Sequence, residues 1–144
     1  MRILGLDYGD KTIGVAVSDS AGRMALPLET IRRKEAGKLR RSLARLQEIC
    51  CQYEVEQLVV GLPLNMDDSE GERAALCRAF GEKAGRRCAL PVAYEDERLS
   101  SWEAEEVLSA GGVARKDRKN TEDQIAAALI LRSYLERRQS HEQT

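Results

Sequence analysis

The order of hydrophobic patterns predicts an α/β fold: one mixed five-stranded sheet, an antiparallel meander followed by parallel strands, covered by helices. Three observations carry this. Residues 2–7 are nearly continuous apolar sequence, and Ile13, Val15 and Val17 then alternate with smaller residues at the period of a strand. From Leu39 the period lengthens, with Leu39, Leu43, Leu46, Ile49 and Tyr53 recurring at helical spacing. After that point short apolar strands alternate with helical stretches, the pattern of strands joined by crossover helices.

Taken in order, the first strand ends at Asp7 and turns through Tyr8-Gly9-Asp10-Lys11 into the second. Ser18-Asp19-Ser20-Ala21-Gly22 makes the next turn, and a third strand is expected over residues 23–31, where Pro27 argues for a sheet edge. A helix over 35–53 leads to a buried strand at 57–61. Ser69-Glu70-Gly71-Glu72 reads as a capping box for a helix that Gly85 ends. A fifth strand covers 89–94, and Ser100-Ser101-Trp102-Glu103 opens another helix that stops at Gly111-Gly112. A basic loop then precedes a last helix, expected to start at Thr121-Glu122-Asp123-Gln124. One domain is expected over 1–138, with a polar tail over 139–144.

Composition narrows the chemistry. With 42% hydrophobic and 33% charged residues the chain reads as a globular cytoplasmic protein. No apolar run approaches the roughly 20 residues that span a bilayer, and the N-terminus lacks a signal-peptide pattern. Cys50, Cys51, Cys77 and Cys88 have neither C-x-x-C spacing nor a nearby histidine, so zinc and disulfides are not expected, and at least one of the Cys50-Cys51 pair should face inward. The one histidine, His141, sits near the C-terminus, which leaves no base for a Ser-His-Asp or Cys-His arrangement. Hydrolytic chemistry would have to run on carboxylates, lysine or metal.

The net charge of −1 conceals segregation. Residues 32–45 hold Arg32, Arg33, Lys34, Lys38, Arg40, Arg41 and Arg45 against Glu35, and 115–119 hold Arg115, Lys116, Arg118 and Lys119 against Asp117. Residues 95–106 are acidic. Basic flanks around acidic patches suit a polyanion held beside metal ions, although a charge run is more often a solvated face.

Three acids fall where chain ends of the sheet and a helix start can converge. Asp7 closes the first strand beside Gly9, Glu97 follows the fifth strand, and Asp123 lies in the first turn expected for the last helix. Hard oxygen ligands of this kind suit Mg²⁺ or Mn²⁺, with phosphate and water completing the shell. Each acid taken singly reads more readily as a surface charge or a cap; their joint context is what points to a site.

Four segments resemble the YqgF/RuvX family, the Holliday-junction-resolvase-like proteins. They are residues 6–16 (LDYGDKTIGVA), 59–67 (VVGLPLNMD), 96–100 (DERLS) and 123–131 (DQIAAALIL). The resemblance implies an RNase H-like fold, metal-dependent phosphodiester cleavage with Mg²⁺ or Mn²⁺, and Asp7, Glu97 and Asp123 as catalytic, metal-binding acids. It implies a cytoplasmic role in maturing the 5′ end of pre-16S rRNA during ribosome biogenesis. Expected contacts to nucleic acid fall to Gly9, Lys11, Asn65, Arg98, Arg115, Lys116, Arg118 and Lys119. Lys11 reads also as a solvated turn residue, Asn65 as a holder of its own loop and Arg98 as a partner of neighbouring acids. Thr12 stands where the family often has a basic residue, Asp68 where it often has glycine and Glu122 where it often has an apolar one.

Precursor rRNA is the leading expected partner, with branched DNA second; a homodimer and ribosomal or assembly partners are compatible with the chain. Two rivals remain at this level. The D-x-G turn also resembles the phosphate loop of actin-like ATPases and sugar kinases, but the chain has one lobe and no second such loop. A non-catalytic, nucleic-acid-binding assembly factor would carry the same residues as a vestige.

Overall fold

A computed structural model describes residues 1–35, 38–97 and 115–142, with side chains in the last segment over 122–139. The strands β1 (Arg2–Tyr8), β2 (Thr12–Ser18), β3 (Ala25–Arg32), β4 (Val55–Leu62) and β5 (Val92–Asp96) form one sheet in the order β3-β2-β1-β4-β5. The first three are an antiparallel meander, while β4 runs parallel to β1 and β5 parallel to β4. The helices are α1 (Arg40–Gln52), α2 (Glu72–Cys88) and α3 (Arg115–Glu142).

The period-2 alternation sorts the strands into two faces. Leu4, Leu6, Ile13, Val15, Leu58 and Val60 pack with Leu46, Ile49, Cys77 and Phe80 in one buried cluster under α1 and α2. Ile3, Ala16 and Val59 point the other way and meet Ala127, Ile130, Leu131 and Leu135 of α3. Asp7 shares the second face, two residues beyond Gly5, where an added Cβ would stand 2.8 Å from the Leu131 Cβ. The end of α3 that carries Asp123 is thereby brought over the end of β1 that carries Asp7.

Pro27 is on the edge strand β3, where the register skips one residue: Val15 pairs with Glu29 and Ala16 with Pro27. Cys50 and Cys77 are buried, Cys51 is exposed, and all four thiols are free.

Helix boundaries depart from expectation. α1 starts at Arg40 rather than 35. α2 takes Gly71, not Ser69, as its N-cap, because Ser69 is turned back onto Asp67. The helix passes through Gly85, which is needed for contact rather than termination: a Cβ there would lie 2.7 Å from Val92 Cγ2. It ends at Ala89, in the left-handed conformation at φ 56°. α3 begins at Arg115, so the basic run expected as a loop forms its first turns, since arginine and lysine propagate a helix well. It continues to Glu142, through most of the segment expected as a tail. The helix expected over 100–111 lies outside the described residues.

Candidate metal centre

Asp7 is placed by its strand. In the β1–β2 ladder it pairs with Gly14, and both belong to the face that α3 covers. A Cβ on Gly14 would stand 1.9 Å from the Asp123 backbone oxygen, so the missing side chain is what admits this part of α3. Asp123 is half-buried and about two turns into α3, which removes the helix-start dipole that its sequence position suggested.

Glu97 arrives from the far side. It follows β5 directly, and its backbone N–H donates to the Leu62 carbonyl at 3.2 Å, extending the parallel pairing past the strand end. Gly61 makes room for it: a Cβ there would meet Glu97 Oε2 at 2.4 Å and Ile130 Cδ1 at 2.5 Å.

Asp7 and Glu97 meet in a side-chain hydrogen bond, and Asp123 is near enough to act on Asp7 through its charge. Burial is the main cause that raises Asp7 from 3.8 to about 6, with the Asp123 charge next. Burial also dominates at Glu97, raised from 4.5 to about 8 and reinforced by the Asp7 charge. Both acids are raised, so the pair shares one proton into the neutral range. The metal-free site at neutral pH therefore holds a carboxylate and a carboxylic acid.

Arg73, in the first turn of α2, opposes this in part. Its guanidinium donates to the Tyr8 carbonyl oxygen and, at 2.8 Å, to Asp10 Oδ1, and lies 5.5 Å from the Tyr8 ring centre. Its charge lowers both Asp7 and Glu97, but burial wins at each. Sequence reasoning missed Arg73. The available signal was a cation in a helix's first turn, where the dipole disfavours it unless acids lie close by.

The donor set is oxygen. Cys77 also feels Glu97 and Asp7, but burial pushes its thiol up to about 11 and keeps it neutral. Among the described residues no three acidic, histidine or cysteine side chains form a ready-made cage for an ion. Asp7 and Glu97 would be the first two protein ligands, with Asp123 beside them.

The other expected contacts are spread more widely. Gly9 forms the tight turn through its N–H to the Thr12 carbonyl at 2.7 Å, and Lys11 is exposed on that turn. Asn65 holds its own loop, with its amide 3.1 Å from Ser69 Oγ. Glu95, part of the acidic run, is a buried tie: it accepts from Ser133 Oγ at 2.7 Å and from Arg137. Arg45 is likewise committed, to Glu29 at 2.7 Å and Glu48 at 3.0 Å. Arg98 and the side chains of Arg115, Lys116, Arg118 and Lys119 lie outside the described residues.

Comparison with known proteins adds a family to this geometry. A family described as "RuvX: Holliday junction resolvase" matches residues 1–137. A protein named "Putative pre-16S rRNA nuclease" from Lachnospira eligens is 53% identical over 139 residues, 96% of this chain and 99% of that protein. A protein of the same name from Lactococcus lactis subsp. cremoris is 50% identical over 136 residues, 94% of each chain. The solved structure of T. thermophilus RuvC in complex with a Holliday junction substrate matches with a TM-score of 0.63 at 19% identity, covering 97% of this chain and 96% of that one. That last likeness is one of fold, and the fold is RNase H-like. With the match running from the first strand almost to the end of α3, this chain belongs to the RuvX family.

Proposed function

We propose that this protein is a metal-dependent endonuclease that matures the 5′ end of the small-subunit ribosomal RNA precursor, with Asp7, Glu97 and Asp123 holding Mg²⁺ or Mn²⁺. The observation that carries the reading is the buried Asp7–Glu97 pair with the Asp123 charge beside it. Folding alone does not favour burying acids that repel one another. A divalent ion offsets that repulsion, and when bound it activates water and stabilises the leaving oxygen of a phosphodiester. The names of the relatives, pre-16S rRNA nucleases, support the substrate.

The chain's own residues prepare the site. Asp7 and Glu97 would hold the ion as two carboxylates, which requires the proton they share to leave the pair. Arg73 holds the turn after Asp7 by its bonds to Tyr8 and Asp10, fixing the direction in which Asp7 emerges. Gly14 and Gly61 set how closely Asp123 and Glu97 approach. The basic run Arg115–Lys119 begins α3, and its charge would attract a nucleic-acid backbone.

Branched DNA is the second substrate class, favoured by the family's description as a Holliday junction resolvase. One experiment tests the main reading: end-labelled precursor RNA and a four-way DNA junction are each incubated with pure protein in Mg²⁺, Mn²⁺ or EDTA. Metal-dependent cutting of the RNA at one position is the expected result. Cutting that persists in EDTA would overturn the metal mechanism, and cutting of the junction alone would move the substrate to DNA.

A further inference from the structure

Cys50 and Cys88 meet where the ends of α1 and α2 come together, on the face of the sheet opposite α3. Cys50 is buried in the cluster under these helices, and Cys88, the last residue of α2, packs half-buried against that cluster. Gln47, one turn before Cys50 on α1, ties the two helices together beside them. Its Nε2 donates to the Arg87 carbonyl at 3.4 Å, and Arg87 Nε donates to its Oε1 at 2.9 Å. The two thiols are themselves joined by a side-chain hydrogen bond.

A cysteine in a core is ordinarily a small apolar filler. Cys77 fits that account, since it is buried and burial pushes its thiol up to about 11. Cys51 is exposed on α1. The Cys50–Cys88 pair differs from both: its sulfurs are in contact across two helices, and Cys88 keeps accessible surface while Cys50 is closed off. Their shared bond, with burial, pushes the Cys50 thiol up. The same bond, helped by the Arg87 charge and opposed by burial, holds the Cys88 thiol below its ordinary value. An accessible sulfur that ionises first, backed by a closed-off thiol in contact with it, is the arrangement of an attacking and a resolving cysteine.

We propose that Cys50 and Cys88 form a redox-active dithiol site, distinct from the acidic centre, that takes a hydroperoxide as its oxidant, with Cys88 attacking and Cys50 resolving. The Cys88 thiolate attacks one peroxide oxygen and the O–O bond breaks. The leaving oxygen takes up a proton and departs as an alcohol, or as water from hydrogen peroxide. Cys88 is then a sulfenic acid, oxidised by two electrons. The Cys50 sulfur next attacks the Cys88 sulfur, the S–O bond breaks, and hydroxide leaves as water with the Cys50 proton. Two thiols and one hydroperoxide thus give one disulfide, one alcohol and one water. A small dithiol reverses the bond by exchange. The crosslink would join the end of α1 to the end of α2 that lies away from Arg73, closing the chain around β4. The site stands on the contact between the two sulfurs and does not depend on the nuclease reading.

The test uses the full chain, reduced and freed of reductant, then exposed to a small molar excess of hydrogen peroxide. Wild type is compared with Cys51→Ser/Cys77→Ser, which keeps the pair, and with Cys88→Ser and Cys50→Ala. Intact mass and peptide maps without reductant are recorded, with and without dimedone to trap sulfenic acid. Expected in wild type and the double variant are a mass lower by two hydrogens and a peptide linking Cys50 to Cys88, both reversed by dithiothreitol. Cys50→Ala should accumulate the dimedone adduct on Cys88, and Cys88→Ser should form no intrachain link. The half-buried place of Cys88 keeps that arm valid if Cys50→Ala folds poorly. A link joining Cys51 of two copies, or Cys50 to Cys51, in place of the Cys50–Cys88 peptide would overturn the pair. So would Cys50 and Cys88 thiols that stay free while Cys51 is oxidised, or a mass that peroxide leaves unchanged. An adduct on Cys50 in Cys88→Ser, with none on Cys88 in Cys50→Ala, would overturn the order of attack.

Discussion

Gly14 supports Asp123: the strand residue has no side chain at the point where the helix backbone comes within 1.9 Å of an ideal Cβ. Because Gly14 is also the ladder partner of Asp7, this single contact sets the spacing between two acids from opposite ends of the chain. A Cβ contact below 3.0 Å is essentially never tolerated, so Gly14→Ala must push α3 outward by about 1 Å. The expected cost in the metal-free protein is roughly 1–3 kcal/mol, the range for overpacking. The larger effect falls on ion binding: the rise in Tm on adding Mg²⁺ or Mn²⁺ should be mostly abolished. A variant that keeps the full metal-dependent rise would show that Asp123 is not part of the centre.

The raised acids fix the sign of a pH dependence. Burial raises Asp7 and Glu97 from their ordinary 3.8 and 4.5 to about 6 and about 8 in the metal-free fold. Between those limits the folded state holds more protons than the unfolded one, so stability is full below pH ~4 for these two groups and falls as pH rises through 6 and then 8. Metal works in the opposite direction, because an ion would compete with the proton that Asp7 and Glu97 share. Stabilisation by Mg²⁺ should therefore grow from pH 6 to pH 8.5, and binding at pH 7 should release protons. Calorimetry in buffers of different ionisation enthalpy reads that release directly, and none would mean that both carboxylates are already ionised.

Arg73 acts on this balance from the first turn of α2. Its charge holds both acids lower than burial alone would leave them, and its hydrogen bonds fix the turn. Arg73→Gln should therefore shift the pH midpoint of metal binding upward. A purely structural role predicts lower melting with the midpoint unmoved, so the pH profile separates the two.

Much of this arrangement is legible in the sequence, and the departures share a cause. Strand alternation points to the meander, Pro27 to the edge, and Asp7 and Glu97 to strand ends that the sheet brings together. What local pattern does not supply is where a helix stops when tertiary contacts favour its continuation. Gly85 looks like a terminator but packs against Val92, and the Arg115–Lys119 run looks like a loop but propagates a helix. Arg33 and Arg73 are invisible as individuals for a related reason. Both sit among ordinary charges, and only the fold buries one and aims the other at the Asp7 turn.

The sharpest separation between a site and a set of structural charges comes from Asp7→Asn. The amide keeps the shape, and its oxygen can still accept the hydrogen bond from Glu97, but the buried charge and its repulsion with Asp123 are gone. Above pH 6 the wild-type protein bears the cost of an ionised Asp7 in a buried place, on the order of 1–3 kcal/mol. The metal-free variant should then melt at the same temperature or several degrees higher at pH 8, since 1 kcal/mol corresponds to about 2–4 °C for a domain near this size. That advantage should shrink at pH 5, where Asp7 is already largely protonated. Cleavage should be abolished, and the stabilisation by Mg²⁺ or Mn²⁺ should fall, because binding to the native state is what supplies it. Functional clusters commonly trade stability for chemistry in this way. If the variant instead loses several kcal/mol without metal at every pH, Asp7 is a satisfied structural residue and the centre loses its first ligand.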